Sequence, residues 1–399
     1  MDILWAWGEA FLRWLHVIAA VGWIGSSFYF VHLDLSLRKS PALPPDSSGD
    51  TWQVHGGGFY HMVKYMVAPP KMPAELTWFK WEAYATWLSG IALLVAVYYF
   101  SAELYLIDKD ILQLSPAGAA ILSAAGLIAG WIVYDQLCRS PLGANDKLLA
   151  IIGFVLLIAL SYGFTRVFSS RGAFMELGAL IGTIMAANVL MVIIPGQRKV
   201  VAALIAGQTP NPAFGKRGKQ RSLHNNYLTL PVVFVMIGNH YPLAFATRWN
   251  WVIWSLIVVI GASIRHFINT HHRSHKMLWW TWGLVAACGL SIIFLSMQGP
   301  AKSSEASGPA PAKVAFQDVE SVIATRCSMC HAPEPLWPGV AYPPKGVTLD
   351  TPEKIRLQRH EIALQAVWTS AMPPSNVTEI TAEERNTLAA WTSAPEKVQ

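Results

Sequence analysis

The sequence predicts an all-α fold in two unlike parts, an eight-helix transmembrane bundle and a small soluble domain behind it, and three observations carry that expectation. Of 399 residues, 53% are apolar and only 14% charged, against about 25% charged in an ordinary soluble domain, and the mean hydropathy is +0.35. A purely soluble enzyme is excluded on composition. Second, eight weakly charged stretches reach the roughly 20 residues that an α-helix needs to cross about 30 Å of hydrocarbon. Third, the last stretch of chain is polar and Pro-rich. The 30 Lys and Arg against 24 Asp and Glu give a net charge of +6, but the excess sits in short clusters between apolar runs. That pattern suits the basic loops of a protein in a lipid bilayer and no nucleic-acid partner.

The spans are expected at approximately 9–33, 77–100, 116–137, 147–168, 172–195, 228–247, 249–268 and 276–297. The first lacks a polar leader and a small-residue cleavage site, so it reads as a retained helix that also directs insertion. The loop after it holds Arg38, Lys39, Lys64 and Lys71, and the loop after the fifth span holds Arg198, Lys199, Lys216, Arg217, Lys219 and Arg221. Both are expected in the cytoplasm. The loop after the second span is acidic, with Glu103, Asp108 and Asp110 against Lys109, and the one after the sixth has only Arg248. With eight crossings, residues 1–298 make an integral membrane domain, and the N-terminus and everything beyond 298 lie on the non-cytoplasmic side. Residues 299–314 read as a flexible Gly/Ser/Ala/Pro linker. Residues 315–399, with amphipathic segments at 315–326, 352–369 and 381–392, read as a soluble domain whose last helix opens on a Thr381/Glu384 capping box. A domain of that size folds with little core to spare unless a cofactor supplies one.

Cys327-Ser328-Met329-Cys330-His331 has the spacing of a c-type haem attachment site. Two thiols one helical turn apart can add to the two vinyl groups of a haem, and the adjacent imidazole then points at the iron. A zinc half-site or a redox dithiol is the other reading, but there is no second cysteine pair and the following His favours one covalent haem c. Attachment of this kind takes place outside the bacterial cytoplasmic membrane, in agreement with the topology from charge, so the domain is expected to be a class I-like cytochrome c domain in the periplasm. A sixth iron ligand is expected from Met372 in Ala371-Met372-Pro373-Pro374, where a rigid loop can hold a thioether and a Met ligand raises the potential. His360 competes, but it falls in a helical segment with charged neighbours and reads as solvated. Cys138 and Cys288 read as buried thiols.

Ionisable residues within membrane spans are costly and count as functional candidates, although His near a helix end often only reaches for the interface. Nine of the 12 His fall at or near the spans and cytoplasmic loops, including His16, His32, His55, His61, His224, His266 and His272. His16 and His240 are expected at a similar depth on the outer side, as two axial ligands of a b-type haem close to the soluble domain. Against a stack of two such pairs, His16 and His32 are 16 residues apart, as are His224 and His240, which leaves them on nearly opposite faces of a straight helix. The loop motifs His55-Gly56-Gly57-Gly58-Phe59-Tyr60-His61 and Pro69 to Glu75, leading into Trp78 and Trp81, join Gln197-Arg198, His224-Asn225-Asn226 and Arg265-His266 at one membrane face. Together they offer the amides, cations and aromatic rings that a small planar anion requires.

The segments HGGGFYH, PPKMPAELTWFKWEAYATW, YDQLCRSPLG, IIPGQRK, HNNYLTLPVVFVMIGNHYP and RHFINTHH, ending in a tethered Cys-x-x-Cys-His domain, resemble the membrane-bound, cytochrome-c-fused urate oxidases (urate hydroxylases) of bacteria over nearly the whole chain. The resemblance implies oxidation of urate to 5-hydroxyisourate with water as the oxygen source, the electrons leaving through the haem domain to a downstream acceptor. Within that chemistry the expected bases are His61, His224 and His55, the carbonyl-binding groups Arg198, Gln197 and Asn226, and the stacking rings Tyr60 and Trp81. The other reading is a membrane cytochrome that passes quinol electrons to haem c without urate chemistry; its expected mark, transmembrane His pairs at same-face spacing, is absent.

Overall fold

The structure, a computed structural model, describes residues 2–41, 43–44, 47–65, 69, 72–300 and 314–395; Lys71 and most of the expected linker lie outside them. Helix α1 (Asp2–Ser36) is followed by a hairpin of β1 (Ser47–His55) and β2 (Gly58–Tyr65), then by α2 (Trp81–Tyr99), α3 (Pro116–Arg139), α4 (Asp146–Phe164) and α5 (Ser170–Ile205). Helices α6 (Pro212–Gly238), α7 (Asn250–Ser274) and α8 (Trp279–Ser296) complete the bundle. Seven of these eight long helices, all but α6, are apolar enough to cross a membrane, and the protein is multi-pass. Large side chains on α1 such as Trp5, Trp14, Ile18 and Val21 are more than half exposed, an apolar surface of the kind a bilayer covers.

The expected sixth span is displaced. Asn211 accepts a hydrogen bond from the Ala213 amide and Pro212 occupies the first helical position, a strong start signal, so α6 begins well before residue 228. It ends at Gly238, ahead of Tyr241-Pro242, where the pre-proline residue disfavours helix. Lys216, Arg217, Lys219 and Arg221 therefore lie on a helix and not in a loop. Similarly, α5 continues past the expected end at 195. A π-helical turn, Asn188–Ile193, precedes Pro195, accommodating the donor that proline lacks.

The hairpin departs from the all-α expectation. Gly56 and Gly57 have φ of 58° and 79°, the left-handed pair that a tight two-residue hairpin turn requires, and Trp52 pairs with His61 across the strands. It sits against the C-terminal end of α1: Tyr29 donates to Gln53 (2.7 Å) and Lys64 pairs with Asp34 (2.6 Å).

Helix α5 is central, with 61% of its apolar window buried against 6% for α1. Its close neighbours need glycine. A Cβ at Gly178 would fall 2.5 Å from Val235 of α6, and one at Gly261 of α7 would fall 2.6 Å from Pro231. Small residues at such crossings let helices approach where no hydrophobic effect drives them together.

The tail has a core of its own around Val319, Ile323, Ile355, Ile362 and Leu388. Its helices α9 (Phe316–Arg326), α11 (Pro352–Leu357), α12 (Arg359–Ile362) and α13 (Ala382–Ser393) follow the expected amphipathic segments, the short α10 (Ser328–His331) falls on the Cys-x-x-Cys-His motif, and the Thr381/Glu384 capping box is formed in both directions. The tail docks on the bundle. The Ser370 amide donates to Ala246 O (2.9 Å), Ser375 Oγ to Leu104 O (2.9 Å) and Asn376 Nδ2 to Asp110 Oδ2 (3.3 Å), and Ala371 joins the main bundle core. Leu104 and Asp110 belong to the segment after α2, and Ala246 to the one after α6.

Candidate functional site

Between bundle and tail lies a cavity of about 950 Å³. Helix α1 lines it from Arg13 through His16 and Trp23 to Ile24, and other walls come from Trp87, Arg171, Thr229 and His240; the tail contributes Cys327, Cys330, His331 and Met372. All six residues expected to bind a prosthetic group thus face one space.

The His16 ring is held against α2. Its Nδ1 lies 3.0 Å from Thr86 O and 3.1 Å from Ser89 Oγ. The Ser89 hydroxyl donates to Ala85 O at 2.6 Å, so toward the ring it accepts, and both contacts require a proton on Nδ1. Nε2 is left as a neutral acceptor, the form a metal takes. Gly90 makes room, since a Cβ there would lie 3.0 Å from His16 Cε1. His240 stands outside the expected helix, in the turn after Gly238, so the helical phase that separates it from His224 does not apply.

His331 follows the same rule: Nδ1 is 2.9 Å from Val347 O, and since a carbonyl only accepts, Nε2 is again free. Burial pushes the Cys327 thiol up to about 12, far from the depressed values of reactive or metal-seeking thiolates. The Met372 loop is held on both sides, its amide donating to Gln365 O (2.9 Å) and its carbonyl accepting from Arg385 Nη1 (3.1 Å), which also donates to Ala366 O (2.6 Å). Burial lowers Arg385 to about 10, which leaves it cationic at neutral pH. His360 is exposed, edge-on to Trp368, and outside this cavity.

The residues expected to bind urate are elsewhere. His55, Tyr60 and His61 are exposed on the hairpin, where His61 pairs with Asp50 (2.6 Å) and stacks on Trp52. Trp81, Gln197 and Arg198 are also exposed. Neither group lines the cavity, because the segments read as loops are a hairpin and a continued helix. His224 Nδ1 is 2.8 Å from Tyr134 Oη. Asn226 is fully buried.

Two buried arginines stand out. Arg221 is ion-paired with Asp135 (2.7 Å) and donates to Asn188 Oδ1 (3.1 Å). Among the described residues, Arg265 bonds only to neutral groups: Asn226 Oδ1 (3.3 Å) and Asn269 Oδ1 (3.2 Å). The Asn-Pro start of α6 is the signal in the sequence that places Arg221 on a helix; nothing local reveals its partner 86 residues away.

A multi-pass helical bundle with a docked polar domain and a cavity at their seam defines an integral membrane protein. Residues 2–296 match the family described as Urate oxidase, N-terminal, and the chain belongs to that family. The match points to a urate-related oxidoreductase and ends at the last bundle helix, before the tail. No curated protein and no solved structure matches.

Proposed function

We propose that the protein is a membrane-bound urate oxidase that converts urate to 5-hydroxyisourate with water and delivers the electrons to a haem c in its own tail. The balance is urate plus H2O giving 5-hydroxyisourate, two protons and two electrons, so the chain must accept protons at the substrate and electrons one at a time. The observation that carries the reading is the single cavity lined both by the bundle's His16 and His240 and by the tail's Cys327, Cys330, His331 and Met372.

These residues fit a haem. Cys327 and Cys330 would hold it covalently, His331 would offer Nε2 because Val347 O occupies Nδ1, and Met372 would supply the thioether from its fixed loop. Bound there, haem c supplies a one-electron acceptor whose potential a Met ligand raises. His16, with Nε2 free, and His240 would hold a second, b-type haem in the same cavity. The cavity follows α1 from Arg13 to Ile24, about 17 Å of helix rise, which shortens the 30 Å crossing that electrons from an inner-face pocket would otherwise face. The tail would then lie in the periplasm of a bacterial inner membrane and pass electrons to a further acceptor. Proton removal falls to neutral imidazoles such as His224, which Tyr134 orients.

The test is anaerobic addition of urate to the purified full-length protein in ¹⁸O-labelled water. Reduction of the haem c spectrum in step with urate loss, and label in the product, are expected. No haem reduction by urate would refute the reading and leave quinol as the donor to examine.

A further inference from the structure

We propose that α1, α6 and α7 form the pocket for an anionic oxopurine, with Arg265 as the group that reads its charge. This deepens the urate oxidase reading and rests on it.

Arg265 is 4% exposed, and among the described residues no carboxylate pairs with it. A buried unpaired charge is strongly destabilising unless something compensates it. Arg221, buried to the same degree, has Asp135; Arg265 has two amide oxygens and the Phe28 ring, 3.9 Å from the guanidinium carbon. An anionic ligand would complete this environment. A second, independent feature points the same way. Asn226 Oδ1 accepts from both Arg265 and Asn269 Nδ2 (2.9 Å), which fixes the orientation of the amide, and Asn226 Nδ2 is then buried with no partner. A cation and an unfilled amide donor beside an aromatic ring match a flat anion rich in carbonyl acceptors.

A base is also in place. Phe28 and His32 are four residues apart on α1, and Arg265, Asn269 and His272 recur at four and three on α7, so each set shares a helix face. His32 Nδ1 and His272 Nδ1 are 3.4 Å apart. Only one can carry a proton there, so in the neutral pair the ring that donates through Nδ1 keeps Nε2 as a free acceptor. The position suits electron exit as well: Phe28 is one turn from Ile24 and Asn226 one turn from Thr229, and Ile24 and Thr229 both line the cavity. The pocket therefore adjoins the end of the cavity remote from Arg13.

The test uses full-length holoprotein, reduced beforehand with dithionite so that urate binds without turnover. The wild type is titrated with urate first. Arg265→Gln is expected to weaken binding about 10- to 100-fold, as loss of a charge-assisted contact does, with Arg265→Lys recovering part of it. Asn269→Ala and Phe28→Leu, which disturb folding less, are expected to weaken binding several-fold with haem spectra unchanged. Wild-type affinity in Arg265→Gln, or in both Asn269→Ala and Phe28→Leu if Arg265→Gln does not fold, overturns the pocket while urate oxidation stands. A wild type that neither binds nor oxidises urate overturns the function itself, and this ligand with it.

Discussion

Replacing Asp135 by Leu leaves the Arg221 guanidinium, 3% exposed, without the carboxylate 2.7 Å away. What remains around it is neutral: the Asn188 oxygen at 3.1 Å, the Asp135 backbone carbonyl at 3.3 Å and the Tyr134 ring at 4.8 Å. An uncompensated buried charge of this kind costs about 3–5 kcal/mol. Arg221→Met is expected to cost less, because Asp135 keeps its second partner, Arg139, at 2.7 Å. The Arg139 pair itself contributes at most about 1 kcal/mol, as its arginine is exposed. The double variant, Asp135→Leu with Arg221→Met, puts apolar side chains on both sides and should return to within about 1–2 kcal/mol of wild type. Unfolding by SDS in mixed micelles, followed by loss of helix, measures all four proteins. A cost below about 1 kcal/mol for Asp135→Leu, or a double variant no more stable than that single one, would refute the argument.

Gly90→Val pushes a branched side chain into the His16 ring, since even a Cβ at this position would lie 3.0 Å from Cε1; a pyridine haemochrome assay should show loss of the b-type signal with the c-type signal intact, and an unchanged b-type signal would remove His16 as a ligand. Met372→Leu should keep haem c covalently attached while lowering its reduction potential in a redox titration, whereas an unchanged potential would exclude Met372 as the axial ligand. Thr381→Ala removes the side-chain acceptor of the Glu384 amide and should cost about 1 kcal/mol, lowering the tail's thermal transition by roughly 4–8 °C.

The tail was the most legible part, because its signals are local. The amphipathic segments fall where the helices are, and the capping box needs only residues 381 and 384. The bundle was legible as apolar length, which recovers seven spans, but charge was a poor guide to where helices begin. Reading Lys216 to Arg221 as a loop followed from their sign, while the Asn211-Pro212 start signal pointed to a helix. The hairpin also had its signal, two glycines between strands rich in aromatic and β-branched residues, obscured by reading the segment as a ligand-binding loop. The pairing of Arg221 with Asp135, and the lack of one for Arg265 among the described residues, come from the packing of distant helices and leave no local trace.

The docking of the tail has a kinetic consequence. A carrier swinging on a tether meets its donor at a rate set by effective concentration, which falls roughly as the −3/2 power of tether length. Here Ser370, Ser375 and Ala371 seat the tail directly on the bundle, so a haem c held in the tail, as proposed, would lie at a fixed distance from the bundle. On the proposed function, the speed of the internal step would then depend on that distance and not on the number of residues between bundle and tail.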